Sequence, residues 1–357
     1  MTSRRTHDAR TNLSSNELTH PDVGAVLADA LSRVAPEDLR RYPVSGPPIV
    51  EVGERLGLAP EEFVLTPGSD VALRAICSYY AATREGPGTL LLQYPNYDAW
   101  ERQAALSGVP VQRVVTERGD PAQQGEALCT AAELTTGALI AVSVPNGPAG
   151  WVLPDETLDR LAALARERGH LLVIDACYQA FDGPVDALLR RRGEGVLVVQ
   201  TLSKSHGLAG ARVAVTCGEP DLVARLAVGG LEETVSGPSL AVARAALADG
   251  ARYEPIWREV RENREAAART LREWGLEPLP SGGNFITVRV GGPDRAAAVV
   301  ARLSEEGYRV RDLSGVSTLE GCVRFTVAGK DVCEDFLTAL RAALAASPAE
   351  AAAGAPS

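Results

Sequence analysis

The sequence predicts an α/β protein with a mostly parallel central sheet and a smaller C-terminal α+β domain. Two observations support this fold class. From residue 63 to residue 217, short apolar runs alternate with helical patterns, as expected of successive strand–helix units in a parallel sheet. After residue 232 this alternation ends, and longer helical patterns are followed by a few isolated strand-like runs. The change of pattern predicts a second, smaller domain.

Length and composition limit the class of protein. The 357 residues leave room for about two domains. The hydrophobic content of 45% and the charged content of 23% are those of an ordinary soluble protein. A net charge of −10 argues against a nucleic-acid-binding protein. No apolar run reaches the roughly 18 residues that a membrane-spanning helix needs, and the polar first 12 residues do not resemble a secretory signal.

The six cysteines are scattered and include no close pair at metal-ligand spacing. Several lie in apolar runs, which predicts buried free thiols in a reducing cytoplasm. The four histidines are also dispersed. We therefore expect a cytoplasmic protein without a metal site.

Each predicted element follows from local patterns. We divide the chain into an N-terminal arm and helix (residues 1–45), a large domain (46–250), a small domain (251–346) and a disordered tail rich in Ala and Pro (347–357). The predicted helices are residues 21–34, 49–58, 71–82, a segment ending near 106, 155–168, 238–248, 253–274, 295–306 and 331–345. The predicted strands are residues 63–65, 89–92, 109–115, 138–144, 171–175, 195–199, 212–217, 284–288, 308–310 and 322–327.

Three polar residues follow buried strands of the predicted large domain. Asn146, Asp175 and Lys204 each come soon after an apolar run. In open α/β sheets, ligands bind beyond the carboxyl ends of the strands. The convergence of these three residues at one edge predicts an active site there.

Lys204 is unusual in this composition. Lys and Arg together number 36, yet only Lys204 and Lys330 are lysines. A lysine can lose its proton and act as a nucleophile, whereas an arginine effectively cannot. Lys204 is therefore a candidate Schiff-base amine, and the alternative is a solvated loop lysine.

Two motifs carry a resemblance to a known family. One is Thr201-Leu-Ser-Lys-Ser-His-Gly-Leu-Ala-Gly-Ala-Arg212, and the other is Asp175-Ala-Cys-Tyr178. With these motifs in this order, the chain resembles the fold-type I enzymes that use pyridoxal 5′-phosphate (PLP). Within them it is most similar to class I/II aminotransferases of the histidinol-phosphate aminotransferase kind, over residues 12–345.

The resemblance implies roles for three residues around the cofactor ring. Lys204 would form the Schiff base with PLP and move the α-proton of the substrate. Asp175 would pair with the protonated pyridine nitrogen, although an acid after a strand is also a common helix N-cap. Tyr178 would donate a hydrogen bond to the 3-oxygen of PLP, and the alternative is a core tyrosine.

The resemblance also implies a phosphate seat and a subunit interface. The Tyr97 ring would stack on the cofactor, unless it is a surface aromatic. Tyr42 matches a tyrosine that reaches the phosphate held by a partner subunit, which implies a homodimer with shared sites. A helix start after a glycine and an arginine fork suit a phosphate, while the same helix start is compatible with a simple N-cap. The residues assigned to this seat are Gly68, Ser69, Asp70, Ser203 and Arg212, with Thr201 nearby.

Three residues are assigned to the substrate by the same resemblance. Arg324, within an apolar strand, would bind the α-carboxylate of the substrate; an internal salt bridge is the alternative. Asn16 and Asn284 lie in segments that line the substrate side.

The sequence departs from the family pattern around the cofactor. In Pro145-Asn-Gly-Pro-Ala-Gly150, Gly147 stands where the family has a cofactor-contacting asparagine, and Asn146 comes one residue early. Either Asn146 makes this contact from a rearranged turn, or the hydrogen bond is absent. His206 replaces an apolar or aromatic residue and is either a polar group near the substrate or a structural histidine.

The predicted function is a PLP-dependent aminotransferase that acts on an α-amino acid or a related primary amine. The first alternative is the same fold catalysing decarboxylation, or β/γ-elimination and replacement, including cyclisation. These reactions differ in which Cα bond lies perpendicular to the ring, and a sequence does not display that angle. The second alternative is a cofactor-binding regulator or an inactive homologue, against which the retained Lys204 argues.

Overall fold

A computed structural model of the chain describes residues 11–43, 47–84, 86, 88–116, 120–228, 231 and 234–347. The helices are Val23–Ser32 (α1), Pro36–Arg40 (α2), Pro47–Arg55 (α3), Ser69–Thr83 (α4), Ala99–Leu106 (α5), Pro121–Glu133 (α6), Asp155–Arg168 (α7), Leu202–Ser205 (α8), Pro220–Ala227 (α9), Gly237–Ala248 (α10), Gly250–Glu273 (α11), Pro293–Glu305 (α12) and Lys330–Ala345 (α13). The strands are Thr11–Asn12 (β1), Phe63–Thr66 (β2), Leu90–Gln93 (β3), Val111–Val114 (β4), Leu139–Ser143 (β5), Leu171–Asp175 (β6), Val196–Thr201 (β7), Ala214–Cys217 (β8), Glu277–Pro278 (β9), Phe285–Arg289 (β10), Tyr308–Arg309 (β11), Arg311–Asp312 (β12) and Cys322–Thr326 (β13).

The central sheet has the strand order β2-β8-β7-β6-β5-β3-β4 in the described part of the chain. Neighbours from β7 to β4 run parallel, and β8 is antiparallel to both β7 and β2. The predicted mostly parallel sheet is therefore confirmed. Its parallel strands point their carboxyl ends to one edge, where the loops after β5, β6 and β7 meet.

Both faces of the sheet are covered along β3, β5, β6 and β7, which explains why these strands are largely apolar without alternation, whereas the edge strand β4 exposes Gln112 and Arg113. Successive side chains of a strand point to opposite faces. In β5, Ile140 and Val142 pack into one hydrophobic cluster, while Leu139 and Ala141 pack into the other. All four side chains are fully buried. The sheet is thus a rigid base for the loops at its carboxyl edge.

A second sheet, antiparallel, has the order β12-β13-β10-β9 and is built from the last third of the chain. The short strand β1 of the arm pairs in parallel with β11, in the same part of the chain. The arm therefore joins elements that follow it by about 300 residues. The boundaries of the predicted domains stay predictions, and residues 348–357 of the predicted tail lie outside the described residues.

Four helices were not expected from the sequence: the short helices α2 and α8, and the longer helices α6 and α9. Helix α6 begins with good signals, since the Asp120 side chain accepts a bond from the Ala122 amide and Pro121 occupies the first turn. Its buried face, however, includes only Leu128 as a large apolar side chain, so its periodicity is weak. Helix α9 has the same kind of proline start after Glu219. None of the described helices combines the length and apolarity needed to cross a membrane.

Candidate active site

The polar residues predicted to converge lie at the carboxyl edge of the central sheet. Asp175 is the last residue of β6 and is paired in register with Ser143 of β5 and Val199 of β7. Thr201 ends β7 and caps α8, accepting a hydrogen bond from the Ser203 amide. This cap starts the single helical turn that carries Lys204. The adjacent strand ends β6 and β7 therefore fix Asp175 and Lys204 at the same edge.

Lys204 points toward the N-terminal arm. Its Nζ donates to the backbone oxygen of Ser15 over 2.6 Å, and the side chain is half-buried. The arm thus contacts the amine directly. A solvated loop lysine, the alternative considered above, would not have a backbone partner from a segment 189 residues earlier.

Asp175 is a buried carboxyl group, 6% exposed. Its Oδ1 accepts a hydrogen bond from the Cys177 amide at 3.1 Å. Burial raises the pKa of Asp175, and the bonds from Cys177 only partly oppose this. A protonated ring nitrogen beside it would favour the charged carboxylate, so the site fits the pyridinium of PLP.

Cys177 connects the predicted elements of the site. Burial and the neighbouring Asp175 raise the pKa of its thiol well above the usual value, while a hydrogen bond from Ser69 and the charge of Lys204 lower it. Ser69, Asp175 and Lys204 therefore all influence the pKa of one buried thiol. The start of α4 and the lysine turn face the same space.

The start of α4 has the features of a phosphate seat. Gly68 has φ of +84° and makes no side-chain cap, so the first amides of the helix are left for a ligand. A Cβ at position 68 would lie 2.2 Å from Nη2 of Arg212. Arg212 itself has φ of +55° and lies 3.6 Å from the Asp70 carboxylate. Glycine is thus required here to let the guanidinium lie over the helix start.

Tyr97 borders this seat. Its hydroxyl donates to Asp70 at 2.9 Å, and 39% of the residue is exposed. Burial of the hydroxyl end and the charge of Asp70 raise the pKa of Tyr97. The exposed part of the ring is available for contact with a bound ring.

Tyr178 lies where the arm meets the sheet. Its hydroxyl accepts a bond from Asn16 Nδ2 at 2.9 Å, and its ring packs edge-on against Phe285 with centroids 5.1 Å apart. A Cβ at Gly147 would lie 3.2 Å from the Tyr178 ring. Burial raises the pKa of Tyr178, and the charge of Arg324 lowers it.

Arg324 lies on β13 with its Nε buried and without a hydrogen-bond partner in the described part of the chain. Its Nη2 donates to the Ser14 backbone oxygen at 2.8 Å, and its guanidinium lies 5.5 Å from the Phe285 ring centroid. Burial lowers the pKa of Arg324. A substrate carboxylate would satisfy the orphaned donor, which an internal salt bridge does not do here.

Sequence reasoning missed Arg311 as a candidate. It is directly opposite Arg324 in the β12–β13 ladder, and its charge lowers the pKa of Arg324 further. Like charges at paired positions of an antiparallel sheet destabilise one another, which suggests an anionic ligand. The signal in the sequence was the alternation of Arg309, Val310 and Arg311 before a turn.

Asn284 is bonded to Asn16, and Asn16 is bonded in turn to Tyr178. Asn284 Nδ2 donates to the Asn16 backbone oxygen at 3.1 Å, and both residues are buried. Asn284 Oδ1 is buried and has no hydrogen-bond partner within the described ranges. The predicted contacts of Asn16 and Asn284 with a substrate stay predictions.

The first possibility considered above was that Asn146 contacts the cofactor, but its side chain makes hydrogen bonds within the protein instead. Its Nδ2 donates to the Pro95 oxygen at 2.8 Å, and its Oδ1 accepts from the Ala149 amide at 3.2 Å. Both ends of the amide are thus engaged within the fold. This favours the second possibility, in which the expected hydrogen bond to the cofactor is absent.

His206 lies in an aromatic cluster behind the lysine turn. Its ring centroid is 4.7 Å from that of Tyr253 and 5.3 Å from that of Trp257, both on α11. Its Nδ1 lies 2.8 Å from Ser205 Oγ. Burial lowers the pKa of His206 to about 3, so the ring is neutral. These contacts support the structural interpretation of His206.

Tyr42 is separate from the other candidates. It follows α2 and is 84% exposed in the single chain. Its predicted contact with a partner subunit stays a prediction. The structure therefore gathers the Lys204, Asp175, Tyr178, Arg212 and Arg324 groups at one edge and leaves Tyr42 on the surface.

Comparisons with known proteins identify the family. The sequence profile named Aminotransferase class I and II matches residues 10–340. The chain is 29% identical to a histidinol-phosphate aminotransferase of Syntrophotalea carbinolica, over 92% of this chain and 91% of that protein.

Solved structures share the fold. Histidinol-phosphate aminotransferase from Sinorhizobium meliloti in complex with pyridoxal-5′-phosphate has a TM-score of 0.76 and 24% identity, over 95% of this chain and 92% of that one. L-threonine-O-3-phosphate decarboxylase from Porphyromonas gingivalis has a TM-score of 0.75 and 21% identity, over 94% and 99%. The predicted fold type I is confirmed. The chain belongs to the class I and II aminotransferase family, and it is a PLP-dependent transferase.

Proposed function

We propose that this aminotransferase acts on an α-amino acid or a related primary amine and that Lys204 is its catalytic amine. The observation that carries the proposal is the placement of Asp175 at the end of β6 and of Lys204 in the turn directly after the neighbouring strand β7. The Asp175 carboxylate is suited to pair with an aromatic ring nitrogen, and the Lys204 amine is suited to react with a carbonyl carbon. Their shared edge allows one cofactor to reach both.

When bound, PLP supplies an electron-withdrawing ring that stabilises negative charge at the substrate Cα. Asp175 would hold the ring nitrogen in its protonated form. Lys204 would hold the cofactor covalently until substrate replaces it, and would then take the proton from the substrate Cα and return it to C4′ of the cofactor. Tyr178 would donate to the ring oxygen, and Tyr97 would cover a face of the ring.

The cofactor phosphate would lie at the start of α4. The first amides of the helix, at Ser69 and Asp70, would donate to it together with the Arg212 guanidinium. Ser203, whose amide is positioned by Thr201, would add a hydroxyl. Asp70 is engaged by Arg212 and Tyr97, so its charge is partly compensated near the phosphate.

The substrate is proposed to carry an anionic group that binds Arg324. The Ser14 oxygen accepts from Nη2 of Arg324, while Nε has no hydrogen-bond partner among the residues that the structure describes. Arg311 adds a second positive charge at the paired position. Several relatives are histidinol-phosphate aminotransferases, but Gly147 at the expected asparagine position makes a specialised amino acid or amine the better proposal here. Asn16 and Asn284 would line this side.

The proposed assembly is a cytoplasmic homodimer in which Tyr42 reaches the phosphate of the neighbouring site. Its support is the exposure of Tyr42 in the single chain and the family resemblance around it. The location rests on cysteine usage alone.

The experiment is an amine screen with purified, PLP-loaded protein. A panel of amino acids and histidinol phosphate is added, and the visible band of the bound cofactor and the products are followed. The proposal expects one amine to bleach the band and yield its ketone or aldehyde, and an oxo acid such as 2-oxoglutarate to restore the band.

The same screen tests the alternative reactions. Likeness to a decarboxylase establishes a shared fold only. Release of CO2, or a product formed without any oxo acid, would replace transamination with decarboxylation or elimination chemistry. Bound PLP without turnover of any amine would favour a regulator or an inactive homologue.

A further inference from the structure

Asn16 is held in one orientation by residues from distant parts of the chain. It is 1% exposed and has φ of +53°, a left-handed conformation that asparagine adopts more readily than most residues. Its amide nitrogen donates to Thr326 Oγ1 at 3.0 Å, and its carbonyl accepts from Asn284. The Thr326 amide in turn donates to the Leu13 oxygen at 2.7 Å. The arm is thus fixed to β13 on both sides of position 15.

In this orientation the Asn16 side-chain amide lies against the Tyr178 hydroxyl. Asn16 Nδ2 lies 2.9 Å from the Tyr178 hydroxyl, while Oδ1 faces the Thr326 hydroxyl at 3.4 Å. A tyrosine hydroxyl has one proton to donate and accepts hydrogen bonds on its lone pairs. Because it accepts from Asn16, its own proton is directed to a different acceptor.

No residue of the turn after β5 supplies a comparable amide. Gly147 stands beside the Tyr178 ring, and the Asn146 amide is engaged by Pro95 and Ala149. The charged and titratable groups that face Tyr178 are Arg324 on β13 and, after β6, Asp175 and Cys177. Among the described residues, Asn16 is therefore the amide that orients this hydroxyl.

We propose that Asn16 is a positioning residue, which by donating to Tyr178 directs the tyrosine proton toward the ring oxygen of PLP. Asn16 would then support, through Tyr178, the hydrogen bonding of the PLP ring oxygen. In related enzymes an asparagine at the position of Gly147 contacts the cofactor directly. This inference rests on the proposed function, because it requires PLP beside Tyr178.

The test is a pH titration of the visible band of the PLP-loaded protein, which reports the protonation of the cofactor without turnover. Asn16→Gly removes the amide and tolerates the left-handed backbone. When the Tyr178 hydroxyl is no longer oriented, the deprotonated form of the bound cofactor loses part of its hydrogen bond. The apparent pKa of the visible band should therefore rise by about 0.5 to 1 unit, the effect of one neutral hydrogen bond.

A second variant separates positioning from packing. Asn16→Asp keeps the shape but accepts a hydrogen bond from Tyr178, which draws the proton away from the cofactor. Its apparent pKa should rise at least as far as that of Asn16→Gly. With Tyr178→Phe as background, Asn16→Gly should cause no further rise, since the two residues act through one hydroxyl.

The control is Asn12→Ala in the same arm. The Asn12 side chain bonds only to Ser14, Ser15 and Glu17 among the described residues, and should leave the titration unchanged. A wild-type titration in Asn16→Gly, or equal shifts in Asn12→Ala, would overturn the inference and leave the proposed function standing. A wild-type protein that forms no visible band with PLP would overturn both.

Discussion

Gly68 keeps the space in which Arg212 lies over the start of α4. Any side chain there would meet the guanidinium at 2.2 Å, and φ of +84° excludes most other residues on conformational grounds. The proposed phosphate seat thus depends on a missing methyl group as much as on the arginine itself.

Gly68→Ala should therefore weaken PLP binding by about tenfold or more, as expected when a charge-assisted contact is displaced. Gly169→Ala is the matched control, since Gly169 also has positive φ but no atom of the described residues lies within 4 Å of the added Cβ. Backbone strain should cost both variants on the order of 1–2 kcal/mol of stability. The PLP dissociation constant, measured by fluorescence titration, should change only in Gly68→Ala; equal loss in both variants would refute the seat.

For individual residues, the sequence showed which residue types suit the site more easily than it showed the contacts that these residues make. Lys204 stood out because the chain has only two lysines, and Asp175 because it ends an apolar run. The bond from Asn16 to Tyr178 could not be predicted, since it joins positions 162 residues apart through a left-handed backbone. Arg311 was missed because its significance lies in its pairing with Arg324.

The lysine turn α8 is too short to be stable by itself and depends on α11. Trp257 donates to the Ser205 oxygen, and the Tyr253 hydroxyl donates to the His206 oxygen at 3.2 Å. The His206 ring packs against both aromatic rings, which also stack on one another. Helix α11 thus supports the position of Lys204 from behind.

His206 predicts a pH dependence of stability. Its folded-state pKa of about 3 is below the usual value of 6.5, so the unfolded chain binds a proton that the folded chain does not. Stability should therefore fall as the pH drops below about 6.5, by on the order of 2 kcal/mol between pH 8 and pH 5.

His206→Phe should remove this part of the acid sensitivity. Denaturant unfolding of the cofactor-free wild type and variant at pH 8 and pH 5 gives the comparison. The difference in the free energy of unfolding between the two pH values should be smaller in the variant. An unchanged difference would mean that His206 accepts a proton in the folded state, as a histidine exposed to substrate would.

Most elements of the large sheet were predicted because continuous apolar runs are unambiguous when a sheet is buried on both faces. Helix α6 was missed because its buried face is built mainly of small or polar residues. The pairing of β1 with β11 was also missed, since two-residue strands have no periodicity to detect.

At the scale of the whole molecule, three large apolar side chains are exposed near the N-terminal helices. Leu31, Leu39 and Tyr42 are 61%, 77% and 84% exposed. Isolated exposed apolar residues are common, but three large ones within 12 residues of sequence are consistent with a covered surface in a homodimer. The fold class was predictable from the order of elements, whereas the subunit contacts were predicted only through family resemblance.

A shared site predicts complementation between subunits. Lys204→Ala and Tyr42→Phe are each expected to impair activity in homodimers. In a hybrid of the two, one site would receive Lys204 from one chain and Tyr42 from the other, so activity should reappear. Co-expression with two different affinity tags and isolation of the hybrid provides the measurement. A hybrid no more active than the mean of its parents would contradict a shared site.

The measurement that tests the central claim most directly is borohydride trapping of PLP followed by peptide mapping. The chain offers its own control, because Lys330 is an exposed lysine at the start of α13. We predict that the phosphopyridoxyl group is found on the peptide containing Lys204, that Lys330→Ala is labelled as the wild type is, and that Lys204→Ala is unlabelled. Label on Lys330, or undiminished label in Lys204→Ala, would contradict the account.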